Sequence, residues 1–321
     1  MKLCLVTAAL IVVANALNPS VRLNDGSMMP RIAAGTWQYK HDQVQQAICA
    51  ALTVGYRHID TAHDYCDNGS TGDCTAVGKS VQQGVGAAVS SSALARDQIY
   101  LTTKVPGCGK QGIGFDTCAE DSVAAAKDNL VQLGMSYTDL LLVHFPPSGG
   151  CGPKNCVAMR KQWQALTDEV LLKNLTRTLG VSNFCVSCLK CLAEAGSDVV
   201  TPAVNQVEFH IGMGADPEGL MSYSAEKGII VEAYSPLGTN TTELINGHLT
   251  TMIGAAHNKS SPEVALNWIL QHIPAVTTKS ANPAHLAEDL AVLDWKLTES
   301  DMQTLDAATK PSGTPSFMCS N

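Results

Sequence analysis

Apolar positions recur along the chain in two alternating rhythms. Short β-branched or apolar runs at Arg57–Thr61, Ile99–Val105, Asp139–Phe145, Arg177–Val181, Ala203–Phe209, Ile229–Ser235 and Ala275–Thr278 predict strands. Between them lie amphipathic stretches. Asp42–Val54 carries Val44, Ala47, Ile48, Ala51 and Leu52 at helical spacing, and Thr117–Leu133 carries Val123, Ala126, Leu130 and Leu133. Ser261–His272 opens on Ser-Pro-Glu, a cap followed by proline at the first helical position, and buries Val264, Leu266, Trp268 and Ile269. With Gly35–Trp37 as a first strand, the chain reads as strand–helix repeats enough for an eight-stranded α/β barrel of about 250 residues. Such alternation demands a parallel sheet; a closed single-domain barrel fits it best, and an open doubly wound sheet satisfies the same pattern. No linker or low-complexity stretch divides the repeats.

Composition agrees with a large core and narrows the partners. Of 321 residues 45% are apolar, 16% charged and 5% aromatic, which is a core-forming and not a disordered composition. Lys plus Arg number 21 against 29 Asp plus Glu, a net charge of −8, and no basic run exists to track a phosphate backbone, so nucleic acid is excluded as the main partner. Residues 1–16, MKLCLVTAALIVVANA, have the layout of a secretory signal: a lysine, an apolar stretch too short to span a membrane, then Ala-Asn-Ala. The expectation is cleavage after Ala16, a mature barrel over residues 17–321, a location in the secretory pathway (endoplasmic reticulum lumen or extracellular) and no stable membrane span.

Twelve cysteines change the picture further. Cys66 and Cys74, Cys108 and Cys118, and Cys151 and Cys156 sit close together among Gly, Pro, Asn and Asp, which suits short disulfide-closed loops. Loss of Cys4 with the signal would leave an odd count, hence one cysteine free or paired between chains; connectivity is not readable from spacing. Asn68, Asn174, Asn240 and Asn258 begin glycosylation sequons, triplets that are also common by chance.

In an eight-stranded α/β barrel, chemistry gathers at the carboxyl ends of the strands. Those ends carry Asp60, Lys104, His144, Ser182-Asn183, Gln206, Tyr234-Ser235 and Lys279-Ser280. Tyr65 follows Asp60 in HIDTAHDY. A phenol is a weak acid near neutrality; a lysine ammonium beside it stabilises phenolate and lowers its pKa, and a carboxylate holds the lysine. Asp60, Lys104 and Tyr65 form such a relay on this reading, with His144 hydrogen-bonding a carbonyl oxygen. That constellation protonates the oxygen of an aldehyde or ketone as hydride reaches carbon. Taken singly, each residue has a plainer explanation: Lys104 a solvated strand end, His144 a satisfied histidine near the core, Tyr65 a loop aromatic. Their joint placement carries the reading.

The same residues lie in motifs by which the chain resembles the aldo-keto reductase family over nearly its whole mature length. These are GTW at Gly35–Trp37, GYRHIDTAHDY at Gly55–Tyr65, LTTKV at Leu101–Val105, LLLVHFP at Leu140–Pro146, LGVSNF at Leu179–Phe184, AVNQVEFH at Ala203–His210, AYSPLG at Ala233–Gly238 and TTKS at Thr277–Ser280. The resemblance implies a (β/α)8 TIM barrel with an N-terminal β-hairpin cap, binding nicotinamide dinucleotide without a Rossmann domain. It implies NADPH-dependent reduction of aldehydes or ketones, with Asp60, Tyr65, Lys104 and His144 as the tetrad and Tyr65 as proton donor. It implies carboxamide contacts from Ser182, Asn183 and Gln206, nicotinamide stacking on Tyr234, further cofactor contacts from Ser235 and Leu237, and a substrate pocket walled by Trp37, Phe145 and His144. Around the cofactor phosphate it implies Lys279 and Ser280; the family's arginine position is His285 here, and Glu288 and Asp289 stand at its later Glu-Asn pair. A lone lysine still pairs with phosphate without bidentate guanidinium contact, so NADPH is favoured and NADH is open.

Two motifs are decoys. Gly107-Cys-Gly109-Lys-Gln-Gly112 matches GxGxxG, but no helix is expected at its third glycine, so it reads as a loop bracketed by Cys108 and Cys118. Cys185, Cys188 and Cys191 form CxxCxxC, but no fourth ligand follows and no metal is expected. Two other functions remain in competition: a non-catalytic barrel retaining the cofactor as a sensor, against which the intact tetrad speaks, and an aldolase-type barrel using Lys104 as a Schiff base, which leaves Ser182, Asn183, Gln206 and Tyr234 without purpose.

Overall fold

A computed structural model describes residue 4 and residues 19–66, 80–194 and 199–312. A two-stranded antiparallel hairpin, β1 (Ser20–Arg22) and β2 (Met28–Pro30), comes first, with Val21 opposite Met29. Eight parallel strands follow: β3 (Ile32–Gly35), β4 (His58–Asp60), β5 (Tyr100–Val105), β6 (Thr138–Val143), β7 (Thr176–Ser182), β8 (Val204–Glu208), β9 (Ile230–Tyr234) and β10 (Ala275–Thr278). They close in sequence order, β10 pairing with β3 through Val276 opposite Ile32, and the barrel has no edge. Closure is the outcome the eight-repeat pattern favoured over an open sheet.

The helices between the strands form the outer layer: α1 (His41–Val54), α2 (Val81–Ser91), α3 (Cys118–Leu133), α4 (Pro153–Leu166), α5 (Val186–Ala193), α6 (Leu220–Glu226), α7 (Glu243–Asn246), α8 (His248–His257), α9 (Ser261–His272), α10 (Pro283–Ala291) and α11 (Glu299–Asp306). The start of α9 shows the local logic. Ser260, one residue before the expected cap, accepts from Glu263 N, while the Glu263 carboxylate accepts from Ser260 N at 2.8 Å, a reciprocal capping box ahead of Pro262. Helix α2 is rich in small residues for a packing reason. A Cβ on Gly86 would lie 2.2 Å from Leu133 O, and one on Gly84 2.3 Å from Val44 Cγ1, so these glycines let α2 press against α3 and α1.

Strand limits read from sequence shift by a residue or two, except at the first. There the strand is Ile32–Gly35 and Trp37 lies past its end, because Thr36 Oγ1 turns to donate to Asp60 O at 2.9 Å and the chain leaves the sheet. Ile32, Ala33 and Ala34 are buried throughout, as in a strand covered on both faces, so no alternation marked them.

The cysteines pair differently from the short-loop expectation. Cys108 bonds Cys118 and closes the loop containing the GxGxxG match. Cys151 and Cys156 do not bond each other: they bond Cys188 and Cys191, stapling α4 to α5. The second and third cysteines of CxxCxxC thus serve in these two disulfides, and Cys185 is disulfide-bonded as well. Cys4, inside the expected signal, is buried in the core and bonded to Cys49 on α1, and among the described residues no cysteine is free. Cys66 is disulfide-bonded as well; Cys74, the sequon at Asn68 and the tail from residue 313 lie outside the described residues. No described helix is long and apolar enough to cross a membrane.

Candidate active site

Consecutive strands β4, β5 and β6 deliver the reactive groups to one end of the barrel. Asp60 is the last residue of β4, Lys104 the penultimate residue of β5, and His144 follows β6. Lys104 has no exposed surface, which removes the solvated-strand-end explanation. Its Nζ donates to Asp60 Oδ1 at 2.6 Å, to Thr61 O at 3.1 Å and to Tyr65 Oη at 3.2 Å. All three ammonium protons are therefore committed. Because Tyr65 Oη accepts from lysine, its own proton is left to point elsewhere, and the hydroxyl borders an open cavity.

That cavity, about 360 Å³, is walled by Trp37, Tyr65, His144, Phe145, Asn183 and Tyr234 among others, with Lys279 at its margin. His144 and Phe145 stack with centroids 4.6 Å apart, and Tyr65 meets His144 edge-on at 5.7 Å. The phenol differs from the expectation of a lowered pKa. Burial, reinforced by the carboxylates Asp60 and Asp64, holds Tyr65 well above its ordinary value. The reason is that Asp60 largely neutralises the neighbouring ammonium while the ring is out of water. The resting tyrosine is thus a neutral phenol with its proton on Oη and not a partly formed phenolate.

The amide residues also assemble. Asn183 Nδ2 donates to His144 O at 3.0 Å and to Ser182 Oγ at 3.1 Å, while Tyr234 Oη donates to Asn183 Oδ1 at 2.7 Å. Ser182 Oγ donates to Gln206 O at 2.8 Å. Gln206 Nε2 donates to Asp60 Oδ2 at 2.9 Å and to Glu232 Oε2 at 2.8 Å, so its carbonyl oxygen is the end left to accept. Asn183 and Ser235 hold φ of 61° and 49°, left-handed values that L residues adopt at a cost and that concentrate at binding sites.

Around the margin, Lys279 Nζ lies 4.6 Å from the centre of the Tyr39 ring. Ser280 Oγ accepts from Asn282 N at 3.1 Å where α10 begins, and His285 and Glu288 are exposed on that helix. Leu237 is half-buried beside the cavity-lining Pro236 and Gly238. Asp289 faces inward: Tyr56 Oη donates to it at 3.4 Å, and burial pushes its carboxyl up to about 6.

Several participants escaped the sequence reading. Asp64 is wholly buried with Oδ1 2.8 Å from His144 Nδ1. Glu232 lies beneath Asp60, its carboxyl raised by burial and by the Asp60 charge against the pull of His58, and it accepts from Thr277 Oγ1 at 3.1 Å. Period-two spacing from Tyr234 would have pointed to Glu232. Behind Lys104, Asn129 Nδ2 donates to Lys104 O at 3.1 Å and Gln82 Nε2 to Asn129 Oδ1 at 2.8 Å. Nothing in a single sequence links Gln82 and Asn129 to β5. Among the described residues no group of three or more His, Cys, Asp or Glu is placed to hold a metal ion.

Comparison with known proteins fits this arrangement. Residues 29–310 match the Aldo/keto reductase family. The chain is 34% identical over 288 residues to an aldo-keto reductase of Mycolicibacterium smegmatis, covering 90% of each. It is 30% identical over 311 residues to glycerol 2-dehydrogenase (NADP(+)) of Saccharomyces cerevisiae, covering 91% of each. The crystal structure of an aldo-keto reductase enzyme from a Medee basin deep-sea metagenome library superposes with a TM-score of 0.75 at 30% identity, over 92% of this chain and 97% of that one. The comparison corrects one expectation: the secretory-pathway location read from residues 1–16 does not agree with these bacterial and yeast relatives and is withdrawn.

Proposed function

The chain belongs to the aldo/keto reductase family and is an oxidoreductase of carbonyl groups, and from that premise we propose that it reduces an aldehyde or ketone in the cavity, taking the proton from Tyr65 and using NADPH. One observation carries the reading: Lys104 donates to Tyr65 Oη and leaves the phenolic proton for a ligand in the cavity.

The residues present fit the nicotinamide cofactor. Tyr234 offers a ring face on the cavity wall, Gln206 an unoccupied carbonyl acceptor, and the left-handed turns at Asn183 and Ser235 bring backbone to the same margin. Lys279 and Ser280, beside the start of a nine-residue helix, suit a phosphate. Lys279 gives a point charge where His285 replaces a guanidinium, so NADPH is preferred and NADH use is retained at lower affinity. When bound, NADPH supplies the hydride to the carbonyl carbon.

The chain's own residues do the rest. Trp37 and Phe145 exclude water from the carbonyl and orient its substituents. Tyr65 Oη gives its proton to the carbonyl oxygen as alkoxide character develops. Even a phenol of raised pKa is far more acidic than an alcohol, so the transfer is downhill once charge has gathered on oxygen. Lys104, already 3.2 Å away, then stabilises the phenolate through the bond it was donating beforehand, so no side chain must move. Asp60 holds the lysine, and Gln206 holds Asp60.

The test is NADPH oxidation with a panel of aldehydes and ketones. Tyr65→Phe should lower kcat about a thousandfold or more while the Kd for NADPH, read by protein fluorescence, changes less than about threefold. Turnover persisting in Tyr65→Phe would remove Tyr65 from its role, and tight NADPH binding by wild type with no oxidation by any carbonyl would favour a non-catalytic cofactor-binding barrel.

A further inference from the structure

Asp64 stands between two residues of the proposed site yet does not border the cavity. It immediately precedes Tyr65, has no exposed surface, and sets Oδ1 2.8 Å from Nδ1 of His144. A carboxylate only accepts, so the proton of this bond sits on Nδ1. A neutral imidazole with its single proton there presents a bare Nε2, which accepts and cannot donate to a carbonyl oxygen. Donation through Nε2 requires two protons on the ring, and the positive charge that results is balanced by Asp64.

The surroundings favour that charged pair. Oδ2 of Asp64 is buried with no hydrogen-bond partner. A carboxylate half satisfied in this way is costly unless an opposite charge is near. Lys104 is committed to Asp60, Thr61 O and Tyr65, which leaves His144 as the group in contact. Burial pushes the Asp64 carboxyl up, but His144 first and Lys104 after it outweigh this and hold it below the usual carboxylate range. Tyr65 meets the His144 ring edge-on and itself feels the charges of Asp60, Asp64 and Tyr234.

We propose that Asp64 is a positioning residue of the carbonyl-reducing site: it keeps a proton on Nδ1 of His144, so that His144 meets the substrate oxygen as an imidazolium donating from Nε2. This rests on the reductase reading above and adds a second donor to it. No proton leaves His144 in the scheme. Hydride goes to carbon, the phenolic proton goes to oxygen, and the imidazolium donates a hydrogen bond to that oxygen throughout.

Asp64→Asn keeps an oxygen that accepts from Nδ1–H and removes the charge. Carbonyl reduction by the holoenzyme is measured from pH 5.5 to 9 in both proteins. The expected result is a kcat about thirtyfold lower in the variant at pH 8, narrowing to less than about threefold at pH 5.5 as acid restores the second ring proton, with the Kd for NADPH unchanged within about twofold. The same loss at every pH, or a parallel loss of NADPH binding, would mean that Asp64 serves packing alone and overturns the proposal. A second measurement needs no turnover: in ¹⁵N NMR at about pH 7 the wild-type His144 ring should carry protons on both nitrogens and the ring in Asp64→Asn on only one. The same protonation in both proteins overturns the proposal even if the wild type reduces nothing, an outcome that would sink the reductase reading by itself. If Asp64→Asn fails to fold, Asp64→Ser takes its place in both measurements.

Discussion

The two ends of this barrel solve opposite problems with the same eight strands. At the amino end the interior is filled from outside: Met29 and Leu23 of the β1–β2 hairpin pack onto Leu140, Leu142, Val204 and Ala275, all at most 3% exposed. The ion pairs there open to the surface through their arginines, with the buried Asp139 held by Arg96 at 2.8 Å and by the exposed Arg177 at 3.2 Å. Toward the carboxyl end the interior is polar and charged: Glu232 at mid-strand in β9, then Asp60 with Lys104, bridged by Gln206, while His58 at the start of β4 approaches Glu232 from the amino side at 3.9 Å. Burying charge at that end is expensive, and Asn183 and Ser235 add backbone strain. The apolar end supplies the stability that the polar end draws down, which is the arrangement expected where chemistry is concentrated on one face of a barrel.

Substitutions on either side should separate these roles. The largest effect is expected for Lys104→Met. Turnover should fall at least a thousandfold, equivalent to about 4 kcal/mol, and the chain should also be destabilised because Asp60 is left buried without its cation. Steady-state kinetics and urea unfolding read the two losses; a variant that unfolds normally yet turns over within tenfold of the wild type would break the division. Next comes Met29→Ala, which opens a cavity in a fully buried site. It should lower stability by about 4 kcal/mol in urea and leave kcat/KM within about twofold, whereas a large kinetic effect would mean that the two ends are coupled.

The smallest effect sharpens the comparison through pH. Asp289, on the carboxyl-end side, has its carboxyl raised from 3.8 to about 6 by burial. Between those values the folded chain binds more protons than the unfolded one, so stability falls as pH rises through that window. Well below pH 3.8 the group is neutral in both states and the penalty is absent. Asp289→Asn should therefore gain about 2 to 3 kcal/mol above pH 6 and almost nothing at about pH 3, measured by urea unfolding at both pH values. A gain that does not depend on pH would show that it does not come from the ionisation of Asp289.

How much of this was legible in the sequence depended on the range of the interaction. Local periodicity marked the strands and helices α1, α3 and α9, and strand-end position brought out Asp60, Lys104 and His144 together. Helix α2 was missed because Gly84 and Gly86 are present to admit Val44 and Leu133, contacts made by other segments. The disulfides Cys151–Cys188 and Cys156–Cys191 were missed for the same reason: their separations of 37 and 35 residues are bridged by the fold and not by a turn. The sign of the Tyr65 shift was wrong because proximity to an ammonium was visible in sequence while the depth of burial was not. Asp64 was in plain view within HIDTAHDY, but its value comes from a histidine 80 residues away.

Those two long-range crosslinks bind α4, which follows the Phe145 loop, to α5, which follows the Asn183 turn. Phe145 and Asn183 stand on neighbouring walls of the pocket. For anyone reshaping the range of accepted substrates, the segments behind those walls form a single exchangeable cassette: a loop transplanted at one place arrives without its mate's anchor, and a donor chain must bring both halves or neither.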